Sequence, residues 1–542
     1  MEENVAGSNP VSHPKSQNMK LSTLTEALVS SLERIKKPSN AGEKIVISRT
    51  VSAVAFLYEK VRVAMEYRED HLIRRGAIER ILKRRLFLNE NGRGVAEYIL
   101  KELLWAKYMP NSSIPASRIE DVQTTIDKYM TLRNEIIRGR PYGEVEKIHE
   151  WILSICACEI EEKISPNFER EAFVNYIYNF FKDRFFLKDE GETASRIQIY
   201  IAIHRVFAKS DNDLIRFEIL KLTFNNLVKN TWSDMENLTG DFFQHLKTVD
   251  LQLKHKVGSK LTRFIHREIA PFLTLRDLYE ANPVNFRKAL EDEKNFTNFI
   301  DKICRKRYDE IGRKLARAAT RSIIYIFLTK MVFALALEYP FDKYILGRVD
   351  IIPLGINTLF PPILMFLILI GISPPGQENT KKIISSLKRI VWEEKEKISP
   401  LNISLKSPIR RPYLLFIFTV FYLLTFILSF GIIFYGLSLL NYSIASEIIF
   451  IFFLSLVLFF GYRIRKTGKE DVVSDKESIF TPVADFFILP ILNVGKVLSA
   501  EISKLNFLVA ILDFFIEAPF KAIFEIFEEW FSFIRRKKEE II

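Results

Sequence analysis

Cysteine is scarce in this chain. Its three cysteines in 542 residues, Cys156, Cys158 and Cys304, cannot be paired into a disulfide framework and fit a reducing compartment for the segment that carries them. Histidine is nearly as thin. Seven are scattered at His13, His71, His149, His204, His245, His255 and His266, and His149-Glu150 lacks the second histidine that a metalloprotease helix places four residues on. Cys156-Ala-Cys158 falls in a helical stretch, where residues two apart face nearly opposite sides, and no second Cys/His pair accompanies it. Both thiols read as core, and no metal site is expected.

Signature motifs are missing as well. Neither G-x-S-x-G nor G-x-G-x-x-G occurs, which removes the common hydrolase and dinucleotide fingerprints. Val257-Gly258-Ser259-Lys260 lacks the first glycine of a phosphate loop, has Ser259 between Gly258 and Lys260, and follows no buried strand, so it reads as a turn. No catalytic residue or cofactor is expected, and the chain reads as a non-enzyme. The first 20 residues have no apolar run, so no cleavable signal peptide is expected, and residues 1–20 read as a disordered tail.

Glycine and proline are sparse beyond that tail, and helical periodicity runs from residue 21 to about 318. Leu21, Leu24, Leu28, Leu32 and Ile35 recur at spacings of three and four, one face of a helix. Ser117 with Glu120 and Ser210 with Asp213 have capping-box spacing, and Ser165-Pro166 places proline for a first helical turn. Ile197, Ile199, Ile201 and Ile203 alternate as in a strand, but no partner run lies nearby and the segment reads as helix. No fixed-period repeat is evident, so the expectation for 21–318 is a cytoplasmic helical domain. Within it, His71–Leu88 is basic and amphipathic, as an anionic-surface binder would be; an ordinary bundle helix with a solvated basic face fits better.

Charge then vanishes from long stretches. Mean hydropathy is near neutral at +0.06, but the apolar runs gather after residue 320. Ser322–Leu337 is broken only by Lys330, Ile351–Ile372 and Tyr413–Leu440 carry no charge, and Ile448–Tyr462 lies between Glu447 and Arg463. A spanning helix takes roughly 17–25 apolar residues, so the second and third cross comfortably and the first and fourth complete short hairpins with them. The expected membrane domain is 319–462, with about four crossings near 322–337, 351–372, 413–440 and 448–462. Residues 463–479 are a charged linker, and 480–542 read as amphipathic C-terminal helices that do not cross. Asp513, Glu517, Lys521, Glu525 and Glu529 there form one polar stripe among phenylalanines. The whole is all-α.

Loop charge orients it. Basic residues crowd the segment before the first crossing, the 373–412 loop and the stretch after the fourth, whereas 338–350 and 441–446 are poor in them. The positive-inside bias then puts both termini in the cytoplasm. It also accounts for the net charge of +12 without nucleic acid, which is not an expected partner.

Three features stand out as candidate sites. Lys330 is a lone charge inside a crossing, so it must snorkel, line a cavity, or find a partner: an acid at a boundary, such as Glu338 or Glu447, in the C-terminal helices or in another subunit, or backbone carbonyls freed by proline. Pro361-Pro362 should bend or break the second crossing, as in transporter helices, although prolines are also simply tolerated in membranes. In the cytoplasmic loop Ile383, Ile384, Leu387, Ile390 and Val391 form a stripe with Lys381, Lys382, Lys388 and Arg389 largely off it and Trp392 beyond. That pattern suits contact with anionic lipid at the cytoplasmic face, or packing on the protein itself. The expected function is a membrane-anchored scaffold or adaptor, working with a protein partner or as a homo-oligomer; the alternative is a transporter or channel component using Lys330 and Pro361-Pro362.

Overall fold

The structure, a computed structural model, describes residues 19–35, 43–47, 70–89, 91–184, 191–224, 239–347, 351–370, 372, 374–394, 412–440, 442–468, 472, 481–504, 530 and 533. Residues 1–18 of the expected tail at 1–20, and the polar stripe from Asp513 to Glu529, lie outside the described residues. Among those described there is no strand, only one isolated bridge between Lys44 and Pro115. The chain is all-α. It divides into two compact units, one formed by residues 1–30, 266–399 and 407–500, the other by residues 31–265, 400–406 and 501–542.

In chain order the helices are α1 (Thr23–Glu33), α2 (Asp70–Leu88), α3 (Val95–Trp105), α4 (Arg118–Ile137), α5 (Tyr142–Ile164), α6 (Phe168–Phe181), α7 (Glu192–Val206), α8 (Asn212–Thr223), α9 (Thr239–Leu253) and α10 (Lys256–Glu268). They continue with α11 (Ala270–Ala281), α12 (Phe286–Glu291), α13 (Glu293–Phe333), a π-helical turn (Ala334–Glu338), α14 (Tyr339–Tyr344), α15 (Ile351–Ile370), α16 (Gln377–Trp392), α17 (Pro412–Leu439), α18 (Ile444–Gly468) and α19 (Thr481–Lys504).

The helical domain is α2–α10, built around α5, which packs on α2, α4 and α8. From Ile152 to Glu161 every α5 side chain is buried, so Cys156 and Cys158 sit in the core, and burial pushes both thiols well above their ordinary range. α7 is likewise buried on more than one face, with Ile199, Tyr200, Ile201, Ala202, Ile203 and His204 all covered. A helix enclosed this way has no polar face to show a 3.6 period, which is why its isoleucines could alternate like a strand.

The basic face of α2 is spent inside the domain. Arg74 bonds Glu161 at 2.6 Å, Arg75 reaches Asp211 at 2.5 Å and Glu79 at 3.0 Å, and Arg84 pairs with Glu102 at 2.5 Å. α2 is a bundle helix, but these guanidinium groups are paired and largely covered by protein where a solvated basic face is expected. Deeper still, Lys128 and Tyr129 of α4 both bond the buried Glu159 of α5, at 2.8 Å each.

Four local expectations are corrected. Ser117 precedes α4 but its side chain caps nothing. Its own backbone is already helical, and the first donors, Arg118 N–H and Ile119 N–H, are taken by Pro115 O and Ala116 O at 3.0 Å. The cap of α8 is Asp211, which accepts from Leu214 N–H at 3.0 Å, while Ser210 turns to His204 Nδ1 at 3.2 Å. Pro166 lies outside α6, which Asn167 caps by accepting from Arg170 N–H at 2.9 Å. Val257–Lys260 belongs to α10 and is not a turn.

In the other unit, α1 and the residues before it dock on α16. Met19 N–H donates to Glu291 O and Ser22 N–H to Val391 O, both at 2.8 Å, and Glu26 pairs with Arg287 at 2.8 Å. α13 is a single helix of 41 residues. It runs through residue 318 without a break, so the division between units falls at 265/266 and the first crossing grows out of a helix begun near Asp292, whose carboxylate caps Lys294 and Asn295.

Among the described residues four helices are long and apolar enough to cross a membrane: Glu293–Tyr344, Ile351–Ile370, Phe416–Leu439 and Ile444–Lys466. The fourth is longer than its apolar core of 448–462, since it takes in Glu447 at one end and Arg463 and Arg465 at the other. α13, α15 and α18 pack as a trio around Ile326, Met365, Ile449, Phe453 and Val457. α17 leaves Phe416, Phe418, Leu423, Ile427 and Ile432 exposed, as a lipid-facing helix would. α19 docks on α17 and α18: Ser429 Oγ donates to Phe487 O at 3.1 Å, and Ile491 joins a cluster with Leu437, Phe450 and Leu454. Its apolar stretch, Phe487–Ser499, is shorter than a span.

Candidate functional site

The polar centre of the membrane trio forms where a π turn interrupts the first crossing. Lys330 and Glu338 are eight residues apart, a spacing that in a uniform α-helix leaves two side chains about 80° apart around the axis. One α turn of about 3.6 residues plus one π turn, about one residue longer, comes close to eight, so the two residues share a face two turns apart. Side chains on a helix lean toward its N-terminus, so Glu338 leans back toward Lys330, whose long stem covers the rest. The two form an ion pair in which both side chains are 0% exposed.

The second crossing supplies the next member. Asn357 Nδ2 donates to Glu338 Oε2 at 2.8 Å and to the backbone carbonyl of Ser446 at 3.2 Å. Ser446 lies in the first turn of α18, where Ser443 Oγ accepts from its N–H at 3.3 Å and the two hydroxyls are 3.1 Å apart. The lysine ammonium also lies 5.1 Å from the Phe453 ring centre, within cation–π range. One network thus links α13, the π turn, α15 and the start of α18.

Burying either charge alone would cost several kcal/mol, and the pair offsets this only if its remaining lone pairs are bonded. Glu338 meets that condition through Lys330 and Asn357. Other polar atoms of the same unit do not: Asn357 Oδ1, Asp342 Oδ1, the Tyr442 hydroxyl and the Ser455 hydroxyl are buried with no hydrogen-bond partner. Such atoms are where a bound water or ion would find bonds.

Of the sequence candidates, Lys330 is central, and of its possible partners the structure selects Glu338. Pro361 and Pro362 are close to the site along the chain but do not break the helix: α15 is continuous from Ile351 to Ile370, with both prolines buried. Pro361 has no N–H to give Asn357 O, nor Pro362 to give Thr358 O; packing against neighbouring helices holds the backbone in place. Asn357 carries no charge, so nothing in the charge pattern of the second crossing marks it.

Lys381, Lys382, Lys388, Arg389 and Trp392 lie apart from this network, on α16. The apolar stripe of that helix is covered by protein, with Ile383, Leu387, Ile390 and Val391 buried where α16 packs on α11 and α13. Lys388 pairs with Glu293 at 2.5 Å, and Trp392 Nε1–H donates to Leu290 O at 2.9 Å. Lys381 and Arg389 are exposed, Lys382 partly so. Of the two readings for this helix, the packing one describes its apolar face.

Among the described residues no group of three or more His, Cys, Asp or Glu could hold a metal ion. No family model, no curated protein and no solved structure matches the chain.

Proposed function

We propose that the protein is a membrane-anchored scaffold without catalytic activity, its helical domain held at the cytoplasmic face and both termini inside. The observation that supports this most is the Lys330–Glu338–Asn357 network. Its charged members are wholly enclosed and mutually neutralised, and it ties three crossings through groups on each. A pair of this kind acts as a fixed internal tie, setting one register among helices that lipid alone would not order, since apolar helices gain little from each other in lipid. The orientation rests on the positive-inside bias of the loops.

A second reading, transport, is favoured by one observation: the unpartnered Asn357 Oδ1, Asp342 Oδ1 and Tyr442 hydroxyl, which would suit a hydrated site coupled to a proton or cation. Two experiments separate the readings. Reporter fusions at residues 310, 395 and 470 should report cytoplasm, and those at 345 and 443 the opposite side. Proteoliposomes under an imposed proton or sodium gradient should show no flux above empty vesicles, while affinity purification from membranes retains a stoichiometric partner or a second copy. Gradient-driven flux that Glu338→Gln abolishes would replace the scaffold reading with the transport one.

A further inference from the structure

In the helical domain, α6, α7 and α8 line an open-sided cavity of about 170 Å³ that includes Arg170, Glu171, Tyr200, His204, Glu218 and Lys221. Exposed Leu222 and Asn175 stand at its rim, and Val174 forms part of its apolar wall. The charges are not all spent. Lys221 is satisfied, with Glu162 at 3.0 Å and Glu218 at 3.1 Å, and Glu171 is only its third acid at 4.0 Å. Arg170 makes no ion pair among the described residues, and its Nη1 is buried without a partner.

His204 is the second open group. It is 4% exposed, lies 4.5 Å from the Tyr200 ring, and its Nε2 has no hydrogen-bond partner. Burial, with Arg170 and Lys221 nearby, holds its pKa down to about 3, so the ring is neutral at neutral pH. Its Nδ1 is 3.2 Å from the Ser210 hydroxyl. When that hydroxyl donates, the ring proton sits on Nε2 and offers an uncharged N–H.

We propose that this cavity binds a small aliphatic α-amino acid. The ligand's carboxylate takes the free Arg170 guanidinium and His204 Nε2–H, its ammonium takes the loosely paired Glu171, and its side chain lies against Val174 and Leu222. Two arguments select a zwitterion over a simple anion. The lining carries two cations and two carboxylates, so a neutral ligand keeps the site balanced while an anion would be left facing Glu171 and Glu218. The volume is close to that of a cavity that holds benzene, which is ample for a valine-sized molecule. Bound there, the ligand would bridge α6 and α7, so that the scaffold domain carries a nutrient-responsive element of its own.

The test uses the full-length protein in detergent, with thermal shift and calorimetric titration against L-alanine, L-valine and L-leucine. Isovalerate and isobutylamine serve as the acid-only and amine-only counterparts of L-valine. At least one amino acid should bind one-to-one and raise Tm, and both counterparts of L-valine should bind about tenfold or more weakly than L-valine. Arg170→Gln should abolish binding, and Glu171→Gln should weaken the amino acid while leaving isovalerate unchanged or tighter. The Glu171 variant stands as the test if Arg170→Gln does not fold. The proposal is overturned if none of the three amino acids binds, if isovalerate matches L-valine, or if Glu171→Gln binds L-valine as the wild type does.

Discussion

At the scale of single residues, the cost of the membrane site is set by its pairing. With Lys330 gone, Glu338 keeps only the amide of Asn357 and loses its cation in a fully enclosed place. Breaking a buried pair from one side typically costs about 3–5 kcal/mol, while replacing both partners with apolar groups of similar size is close to neutral or favourable. Lys330→Met should therefore destabilise the protein by about that amount, and Lys330→Met with Glu338→Met should recover most of it. Denaturant unfolding in mixed micelles measures both. A single variant as stable as the wild type would mean that the lysine reaches solvent and the pair contributes nothing.

Among elements, α19 and α18 approach each other closely at a glycine. A Cβ built on Gly495 would sit 2.1 Å from Ser455 O and 2.8 Å from Phe459 Cβ. A backbone carbonyl cannot swing aside as a side chain can, so Gly495→Ala must push α19 away from α18, at about 1–3 kcal/mol. Gly461 is the milder case: the nearest atoms to an added Cβ belong to the Ile368 side chain, with Cγ2 at 2.8 Å, and although that β-branched residue is stiff at χ1 in a helix, no backbone atom comes as close as at Gly495. Gly495→Ala should lower Tm clearly more than Gly461→Ala; equal effects would show that α19 does not dock there. Periodicity alone told nothing of this contact, because one glycine in a helical run has no pattern to read. The long elements were legible, since uncharged runs of twenty or more residues leave few alternatives in water or lipid. Lys330 was legible for the same reason, as a lone charge against an apolar background. Asn357 and the π turn were not, because a neutral amide and a one-residue change of helical pitch leave no mark on a scan for charge and 3.6-residue spacing. The caps failed for another reason. Ser117 and Ser210 have the right type and spacing, but Ser117 already has helical backbone, with Arg118 and Ile119 N–H bonded to the carbonyls of Pro115 and Ala116, and α8 begins one residue later than Ser210 needs, so that Asp211 is its cap and takes Leu214 N–H.

On the scale of the whole molecule, hydropathy marks where lipid begins, not where a compact unit begins. Polar helices α11 and α12 and the polar first half of α13 read as part of the soluble domain, yet they cluster with the membrane helices because α16, tethered between two crossings, lays its apolar stripe on α11 and α13. Two units of this kind need not melt together, and acid should act on the helical domain in particular. His204 has an ordinary pKa of 6.5 and is held at about 3 in the fold, first by burial and then by Arg170 and Lys221. Below pH 6.5 the unfolded chain takes up a proton that the folded one refuses, so this residue's contribution, complete above that pH, is lost as pH falls toward the folded value. The slope approaches about 1.4 kcal/mol per pH unit, or about 2 kcal/mol between pH 6.5 and 5. Burial raises the carboxyls of Glu161 and Glu171; those groups bind protons more readily in the fold and act with the opposite sign, so the informative quantity is a difference between variants. His204→Phe, which keeps an aromatic ring beside Tyr200 but cannot titrate, should flatten the fall in the domain's Tm over that interval. Parallel curves for variant and wild type in scanning calorimetry would show that His204 is not held neutral by the fold.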